Sequence, residues 1–210
     1  MIDYSLYVIT DEKLSLGKTH TEIAEAAVQG GATMIQLREK EMSSAKLLTT
    51  ALSMAAVCKN RAVFIVNDRL DIALASGADG VHLGQSDLPV KAARSIAPSN
   101  FIIGISAGSV DEAIKGVQDG ADYVAVSPVF STGSKNDAGA GLGLEGIKAM
   151  RNVIGDVPLV GIGGINKDNT KLLIESGLDG ISVLSAVVSQ KNIVAATAEL
   201  LHIVREVKKK

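Results

Sequence analysis

The stretch Gly77-Ala78-Asp79-Gly80, which leads into Val81, decides the fold because close copies of it return along the chain. Each copy has a glycine, then an apolar residue, then Asp or Thr, and then a run of branched apolar residues. The other copies are Gly30-Gly31-Ala32-Thr33, Gly120-Ala121-Asp122 and Gly177-Leu178-Asp179-Gly180. Each glycine follows a helical pattern, where a residue in the left-handed conformation ends a helix at little cost. Every copy therefore predicts a helix end followed by a strand.

Runs typical of buried strands alternate with helical patterns along the whole chain. Eight strands are predicted, at 6–10, 34–38, 63–67, 80–84, 101–106, 123–128, 158–163 and 180–185. Helices are predicted at 21–29, 44–59, 111–118, 144–152 and 168–175, and a last one at 192–207 should pack beside the first. The repeat opens every even-numbered strand, so the repeated unit is two strands with their helices.

Eight strand–helix units without a linker predict an α/β protein with one domain over residues 1–210, a single (β/α)8 TIM barrel. A doubly wound open sheet is the alternative fold. It would need fewer strands and a point where the strand order reverses, and the even repeat argues against both.

Composition narrows the function classes. The chain has 210 residues, of which 47% are hydrophobic, enough for a sizeable core, and its net charge of −2 provides no strong field toward nucleic acid or anionic membranes. Three Phe and three Tyr offer few platforms for base stacking. Cys58 is predicted to be a core residue, and no signal peptide or membrane span is evident. We expect a cytoplasmic protein that binds small molecules, and the sequence leaves homo-oligomer formation open.

The second strand ends in an unusual run of polar groups. With a period of two, Gln36, Arg38 and Lys40 share one face, while Leu37 and Glu39 share the other. An amide, a guanidinium and an ammonium group bind phosphate oxygens well. In barrels of this kind the chemistry lies at the mouth, which is the end formed by the carboxyl ends of the strands. The first face is therefore predicted to bind a phosphate group there.

Two carboxylates, Asp68 and Asp87, follow the adjacent third and fourth strands. Carboxylate oxygens on neighbouring loops, completed by substrate phosphates, commonly hold Mg²⁺. Each residue also has a plainer interpretation. Asn67-Asp68 is typical of a turn and helix cap, and Asp87 could cap a helix that begins near Val90.

Further polar residues follow the later strands. Ser106 ends the fifth strand, residues 131–135 form a polar loop after the sixth, and Gly163-Gly164 and Leu184-Ser185 follow the last two. Backbone N–H groups after strands seven and eight often bind a phosphate monoester on this fold. The mouth is thus predicted to hold a diphosphate site and a monophosphate site. Gly163 and Gly164 could also be ordinary turn residues, and the loop at 131–135 could also be an ordinary flexible loop.

The three histidines give weaker signals. His82 lies in the middle of the fourth strand and is predicted to be a packed histidine rather than a ligand. His20 and His202 fall in or beside helices and are predicted to lie on the surface.

Taken together, these segments resemble the thiamine-phosphate synthase (thiamine-phosphate pyrophosphorylase) family over essentially the whole chain. The matching segments are 6–11, 36–40, 66–69, 80–87, 128–135, 161–165 and 182–186, in family order. The resemblance implies that hydroxymethylpyrimidine diphosphate loses pyrophosphate and that hydroxyethylthiazole phosphate takes its place, giving thiamine phosphate. It also implies a strongly dissociative, Mg²⁺-assisted substitution without a protein nucleophile.

The resemblance assigns roles residue by residue. The pyrimidine diphosphate would be held by Gln36, Arg38, Lys40, Asn67, Ser106 and Lys135, with Leu37 and Glu39 in the same substrate-binding stretch. Mg²⁺ would be bound by Asp68 and Asp87. The thiazole phosphate would be held by Thr132, Gly133, Ser134, Gly164, Leu184 and Ser185. Catalytic roles would fall to Arg38, Lys40, Ser106 and Lys135.

Three other functions are weighed against this one. The thiazole tautomerases share the fold but rely on a histidine after the fifth strand, where this chain has Gly108. A phosphosugar epimerase or isomerase would recruit Asp68 or Asp87 as a general base. A regulator that binds thiazole or thiamine phosphate without catalysis is disfavoured by the intact polar set. We also predict that residues 131–142 form a lid over the bound substrates.

Overall fold

Strand pairing closes the sheet on itself. The computed structural model describes residues 2–131 and 141–209. Its strands are β1 (Leu6–Thr10), β2 (Met34–Leu37), β3 (Val63–Asn67), β4 (Gly80–Leu83), β5 (Ile102–Ala107), β6 (Tyr123–Val126), β7 (Leu159–Ile162) and β8 (Gly180–Val183). All neighbours are parallel, they follow the chain order, and β8 pairs with β1. The predicted (β/α)8 TIM barrel is confirmed, and the open sheet is excluded.

Helices follow the strands around the outside. They are α1 (His20–Gln29), α2 (Ser44–Cys58), α3 (Leu70–Ser76), α4 (Val90–Ile96), α5 (Val110–Gln118), α6 (Gly143–Ile154), α7 (Lys167–Glu175), α8 (Ser185–Val188) and α9 (Ile193–Lys208). The six predicted helices match six of these within two residues, and α9 packs against α1 and α7. The helices α3, α4 and α8 are not among the six predicted, although a helix beginning near Val90 was considered for Asp87. They have seven, seven and four residues, and so short a segment shows little helical period.

The sequence repeat joins neighbouring strands at the base of the barrel, which is the end formed by the amino ends of the strands. Its glycines have φ angles of 93°, 70°, 100° and 112° at Gly31, Gly77, Gly120 and Gly177, as the left-handed prediction requires. The side chain of the residue two positions after each glycine accepts a hydrogen bond from the N–H of the first or second residue of the preceding odd-numbered strand. These bonds run from Leu6 to Thr33 (3.0 Å), Phe64 to Asp79 (2.8 Å), Ile103 to Asp122 (2.7 Å) and Leu159 to Asp179 (2.8 Å).

Two apolar cores result from closing the barrel. The larger one lies between the sheet and the helices, and it includes Cys58, which is confirmed as a core residue with 1% exposure. A smaller core lies inside the barrel and includes Tyr7, Met34, Ile65 and Tyr123. Further along the same inner faces, toward the mouth, the side chains become polar. The interior is therefore apolar at its lower level and polar where ligands can enter.

The two ends of the described chain lie together at the base. Lys208, the last residue of α9, donates a hydrogen bond from Nζ to Oγ of Ser5 at 3.0 Å. Arg205 pairs with Asp3 at 3.9 Å. Both contacts are on the opposite side of the barrel from the mouth. Among the described residues, no helix has the length and apolar character needed to cross a membrane.

Candidate active site

Two adjoining cavities open at the mouth of the barrel. The main cavity has a volume of about 500 Å³ and the side cavity about 290 Å³. They share a wall formed by residues that end β2 to β6 or directly follow those strands, namely Arg38, Asn67, His82, Ser106 and Ser127. A molecule in one cavity can therefore approach a molecule in the other across that wall.

The side cavity is the more highly charged of the two. Lys40, Asp68, Asp87 and Glu112 line it together with the shared Arg38. The Arg38 guanidinium lies 3.4 Å from the Asp11 carboxylate at its Nη1, and both side chains are largely buried. This pair holds the guanidinium at the cavity wall, while the exposed Lys40 remains at the rim.

Asp68 and Asp87 are brought together as the sequence predicted. Burial and the hydrogen-bonded Asp87 carboxyl raise the pKa of Asp68 to about 6, against the opposing effect of Lys40 and Arg38. Neither residue caps a helix, since α3 and α4 begin without a side-chain cap, at Arg69 and Pro89, but Asp68 does lie in the predicted turn after β3. Instead the Asp87 carboxylate accepts a hydrogen bond from Gly84 N at 2.7 Å.

This carboxylate pair fits Mg²⁺ by the chemistry of its donors. Two hard oxygen donors that repel one another when both are ionised favour a divalent cation between them. Among residues 2–131 and 141–209 no cluster of three or more His, Cys, Asp or Glu side chains could enclose a metal. The remaining ligands of a bound ion would therefore come from water or from substrate oxygens, which is the usual arrangement for Mg²⁺.

Asp68 also has an unusual backbone. Its φ angle is +62°, in the left-handed region where residues other than glycine are uncommon. Its N–H donates to the carbonyl of His82 at 2.8 Å, which ties the turn to β4. Strained conformations of this kind persist where the surrounding structure fixes them, and they concentrate at functional sites.

The opposite side of the main cavity is lined by residues that end or follow β7 and β8, including two glycines. Gly163 and Gly164 follow β7 with φ angles of 103° and 65°, and they line the cavity together with Leu184 and Ser185. A Cβ atom at either glycine would lie 2.8 Å from a side chain of the neighbouring loop, Pro128 for Gly163 and Phe130 for Gly164. The glycines therefore allow the backbone itself to form the cavity wall.

A row of hydrogen bonds crosses the floor of the main cavity. We call it the polar chain, and its members in order are Gln36, Tyr7, Tyr123, His82 and Ser106. Successive polar atoms are 2.6 Å apart from Gln36 to Tyr7, 3.1 Å from Tyr7 to Tyr123, and 2.9 Å for each of the last two steps. All but Ser106 are buried. His82 is thus a packed histidine, as predicted, and it also holds Ser106.

Ser182 is a further residue of the cavity floor that sequence reasoning missed. Its hydroxyl, on β8 beside Tyr7, is the one buried side-chain polar atom among the described residues that has no hydrogen-bond partner. A buried hydroxyl without a partner is unfavourable, so a ligand or a water molecule in the cavity is its natural partner. The alternation of inward and outward side chains along β8 was the sequence feature that could have revealed Ser182.

Two predicted site residues, Leu37 and Glu39, line neither cavity. The Leu37 side chain is 1% exposed and lies in the outer core. Glu39 accepts a hydrogen bond from Glu41 N at 2.7 Å and lies 3.4 Å from His20. Thr132, Gly133, Ser134 and Lys135, and with them most of the predicted lid at 131–142, lie outside the described residues.

The prediction that His20 lies on the surface was wrong. It is 1% exposed, and its Nδ1 lies 2.7 Å from the hydroxyl of Thr10, which is itself buried at the end of β1. The helical pattern placed His20 at the first turn of α1 but could not show that this turn packs against β1. His202 is exposed, as predicted.

Comparison with known proteins gives a consistent picture. The model of a family described as thiamine monophosphate synthase matches residues 6–187. The thiamine-phosphate synthase of Methanocella arvoryzae is 50% identical over 206 residues, which are 98% of this chain and 97% of that protein. The thiamine-phosphate synthase of Moorella thermoacetica is 47% identical over 97% of each chain.

Comparison with solved structures identifies the same family. Thiamine phosphate pyrophosphorylase from Pyrococcus furiosus superposes with a TM-score of 0.91 at 42% identity, covering 98% of both chains. A 3-hexulose-6-phosphate synthase also superposes, with a TM-score of 0.70, but at 19% identity this likeness shows the fold alone.

Proposed function

This chain belongs to the thiamine monophosphate synthase family, and we propose that it joins hydroxymethylpyrimidine diphosphate to hydroxyethylthiazole phosphate by a Mg²⁺-assisted dissociative substitution. The chain is a transferase of the thiamine-phosphate synthase type. The observation that carries the detailed proposal is the pair of cavities with a common wall. Two phosphorylated substrates that must react with each other need two anion sites separated by a short distance.

The diphosphate is assigned to the side cavity and the common wall. Arg38 and Lys40 provide positive charge there, and Asn67 provides a neutral hydrogen-bonding group. Ser106, on the common wall, is assigned to the pyrimidine ring of the same substrate. As the bond between the pyrimidine methylene carbon and the diphosphate oxygen breaks, negative charge grows on that oxygen. Groups fixed in place before the reaction stabilise such charge without reorganising. Lys135 belongs to the same proposal.

Asp68 and Asp87 would hold Mg²⁺ beside this diphosphate, since their adjoining carboxylates supply two oxygen donors. When bound, the ion would neutralise charge on the departing pyrophosphate. The protein's own contribution is to keep both carboxylates at the cavity edge, Asp87 through Gly84 and Asp68 through the turn after β3.

The thiazole phosphate is assigned to the far side of the main cavity. Gly164, Leu184 and Ser185 line this side, and Thr132, Gly133 and Ser134 complete the proposed set. The thiazole nitrogen then faces the common wall, where its lone pair forms the new bond to the methylene carbon. Holding two reactants in this way is worth about 7–11 kcal/mol of the barrier in favourable cases. No protein nucleophile is required.

Release of pyrophosphate by the purified protein tests the proposal. The assay contains both substrates and Mg²⁺, and each component is omitted in turn. We expect release only when all three are present, with thiamine phosphate as the organic product. Binding of thiazole phosphate without any release would contradict the proposal and would favour a tautomerase-like or regulatory relative.

The tautomerase alternative receives no support from the fifth strand. Gly108 occupies the position of the expected histidine, and its N–H donates to Glu112 at 2.6 Å. A Cβ atom there would make only ordinary contacts, so a side chain could fit but is not present. A cytoplasmic location is part of the proposal, and cell fractionation would test it. Light scattering would measure whether the chain forms a homo-oligomer.

A further inference from the structure

We propose that the polar chain selects the pyrimidine substrate by fixing which of its two end residues donates and which accepts a hydrogen bond. In this proposal Tyr7, Tyr123 and His82 are positioning residues, because they set the hydrogen-bond directions of Gln36 and Ser106. The polar chain favours binding of a pyrimidine with an amino group over binding of the corresponding oxo compound. The inference rests on the proposed function for the identity of the ring.

The direction of the chain follows from its first bond. Gln36 donates from Nε2 to the Tyr7 hydroxyl at 2.6 Å, so the Tyr7 proton is available for Tyr123. Tyr123 then donates to Nδ1 of His82 at 2.9 Å. With Nδ1 accepting, a neutral histidine carries its proton on Nε2 and donates it to Ser106.

The two ends of the chain therefore offer opposite groups to the cavity that they line. Ser106 has accepted a bond from His82 and can donate its own proton. Gln36 directs its amide nitrogen to Tyr7, so its carbonyl oxygen is the side-chain atom assigned to the ligand. The cavity thus presents one donor, from Ser106, and one acceptor, from Gln36.

This polarity matches an aminopyrimidine. Such a ring has an N–H donor on its amino group and an acceptor at the neighbouring ring nitrogen. In the oxo form the carbonyl oxygen accepts and the neighbouring ring nitrogen carries a proton, so both groups are reversed. To receive the oxo form, every bond in the chain would have to reverse and the Gln36 amide would have to turn over.

Packing makes such a reversal costly. Burial raises the pKa of both Tyr7 and Tyr123 well above the ordinary value, so both remain neutral hydroxyls. The His82 ring stacks on Tyr123 with centroids 5.5 Å apart and an interplanar angle of 28°. Gly104 lies opposite Tyr123 on β5, where any Cβ atom would collide with the tyrosine ring.

The test measures preference rather than activity. Calorimetry would compare the 4-amino and 4-oxo forms of the hydroxymethylpyrimidine diphosphate, with Mg²⁺ but without the thiazole phosphate. We expect the unmodified protein to prefer the amino form by about 100-fold, since a site whose polar groups are left unpaired rejects a ligand strongly. Tyr123→Phe keeps the ring but breaks the chain, and should reduce that preference about tenfold.

Tyr7→Phe breaks the same chain one step earlier and should act alike, so the test does not depend on one variant folding. Tyr4→Phe is the matched control, because the Tyr4 ring packs 5.4 Å from Tyr123 but its hydroxyl lies outside the chain. An unchanged preference in both chain variants, an equal loss in Tyr4→Phe, or no preference in the unmodified protein would each overturn the inference.

The proposed function is tested separately by pyrophosphate release from the unmodified protein. If release occurs but the chain variants keep their preference, the function stands and the inference fails. If release does not occur but the preference depends on the chain, the inference stands and the assigned reaction fails.

Discussion

The base and the mouth of this barrel treat polar groups in opposite ways. At the base, Asp79, Asp122 and Asp179 each accept a hydrogen bond from a strand N–H. Arg94 and Arg151 add an ion pair to Asp122 and Asp179 and also bond to loop carbonyls. These three carboxylates thus have their hydrogen-bond partners within the protein.

At the mouth the partners are incomplete or unfavourable. Ser182 has a buried hydroxyl without a partner, Asp68 and Asp87 are two carboxyls in contact, and Asp68 has a strained backbone. Each of these features costs stability in the absence of a ligand. The comparison indicates that the base stabilises the barrel, whereas the mouth retains unfavourable groups for binding. Substitutions at the two ends should therefore affect different measurements.

The largest expected effect is on turnover, from Asp87→Asn at the mouth. The amide oxygen can still accept the bond from Gly84, but one of the two proposed Mg²⁺ ligands loses its charge. We expect turnover to fall about 1,000-fold because the charge on the departing pyrophosphate is less well stabilised. The melting temperature should not fall, since the repulsion from Asp68 is relieved.

Steady-state pyrophosphate release at several Mg²⁺ concentrations measures this effect. Asp71→Asn is the control, because that carboxylate pairs with Arg69 on the outer surface of α3. A response to Mg²⁺ identical to that of the unmodified protein would remove Asp87 from the metal site.

At the base the reverse result is expected. Asp179→Ala leaves Leu159 N–H without its acceptor and Arg151 without its ion pair. We expect the free energy of unfolding to fall by about 2 kcal/mol, which is typical for loss of a partner from a part-buried polar group. Turnover at 25 °C should stay within about twofold, because Asp179 lies at the base and lines neither cavity at the mouth.

Urea unfolding followed by circular dichroism measures the free energy of unfolding, and the pyrophosphate assay measures turnover. Asp156→Ala is a nearby comparison at the base, since this carboxylate makes no hydrogen bond to a residue that the structure describes. Loss of turnover without loss of stability in Asp179→Ala would contradict the division between base and mouth.

The next expected effect is a pH dependence of stability and of Mg²⁺ binding that comes from Asp68 at the mouth. The pKa of Asp68 is raised from its ordinary value of 3.8 to about 6. Between these values the folded protein binds more protons than the unfolded chain, so this group's contribution to stability falls as pH rises from about 4 to about 6. A divalent cation competes with that proton, and Mg²⁺ with pyrophosphate should bind about tenfold more tightly at pH 7.5 than at pH 5.

Titration calorimetry with Mg²⁺ and inorganic pyrophosphate checks the cation effect, and thermal melting checks the stability effect. In Asp68→Asn both pH dependences should become flatter, after correction for the ionisation of pyrophosphate itself. A dependence as steep as that of the unmodified protein would assign it to another group.

The smallest expected effect comes from Ser182→Ala. Removing a buried hydroxyl that has no partner should leave the free energy of unfolding unchanged or raise it by up to about 1 kcal/mol. Ser15→Ala is the contrast, because the Ser15 hydroxyl bonds to Glu12 and Lys18 and its loss should destabilise by about 1 kcal/mol. Destabilisation of the same size in both variants, measured in urea, would show that Ser182 has a partner.

The sequence predicted the features that depend on local spacing. The repeated glycine and acid at Asp79 and its copies marked the strand starts, and the period of two placed Gln36 and Arg38 on the inner face. Strand order then brought Asp68 and Asp87 together, because adjacent parallel strands end at the same level. These inferences required only the spacing of nearby residues in the sequence and the order of adjacent strands.

Features that depend on distant partners were not predicted. The polar chain joins Tyr7 to Tyr123 across 116 positions and His82 to Tyr123 across 41. No local pattern shows which inward side chains meet across a closed barrel. Gly104 carried the one available signal, since a glycine inside a strand often marks close approach of a large side chain.

The contact between Lys208 and Ser5 has a consequence for the chain as a polymer. Because residues near both ends meet at the base, a short linker could join them without crossing the mouth. New ends could then be opened in a loop at the base, such as the one at Asn60 between α2 and β3, with strand order and register kept. The architecture depends on the closed order of the strands around the barrel, and that order would be the same in such a rearranged chain.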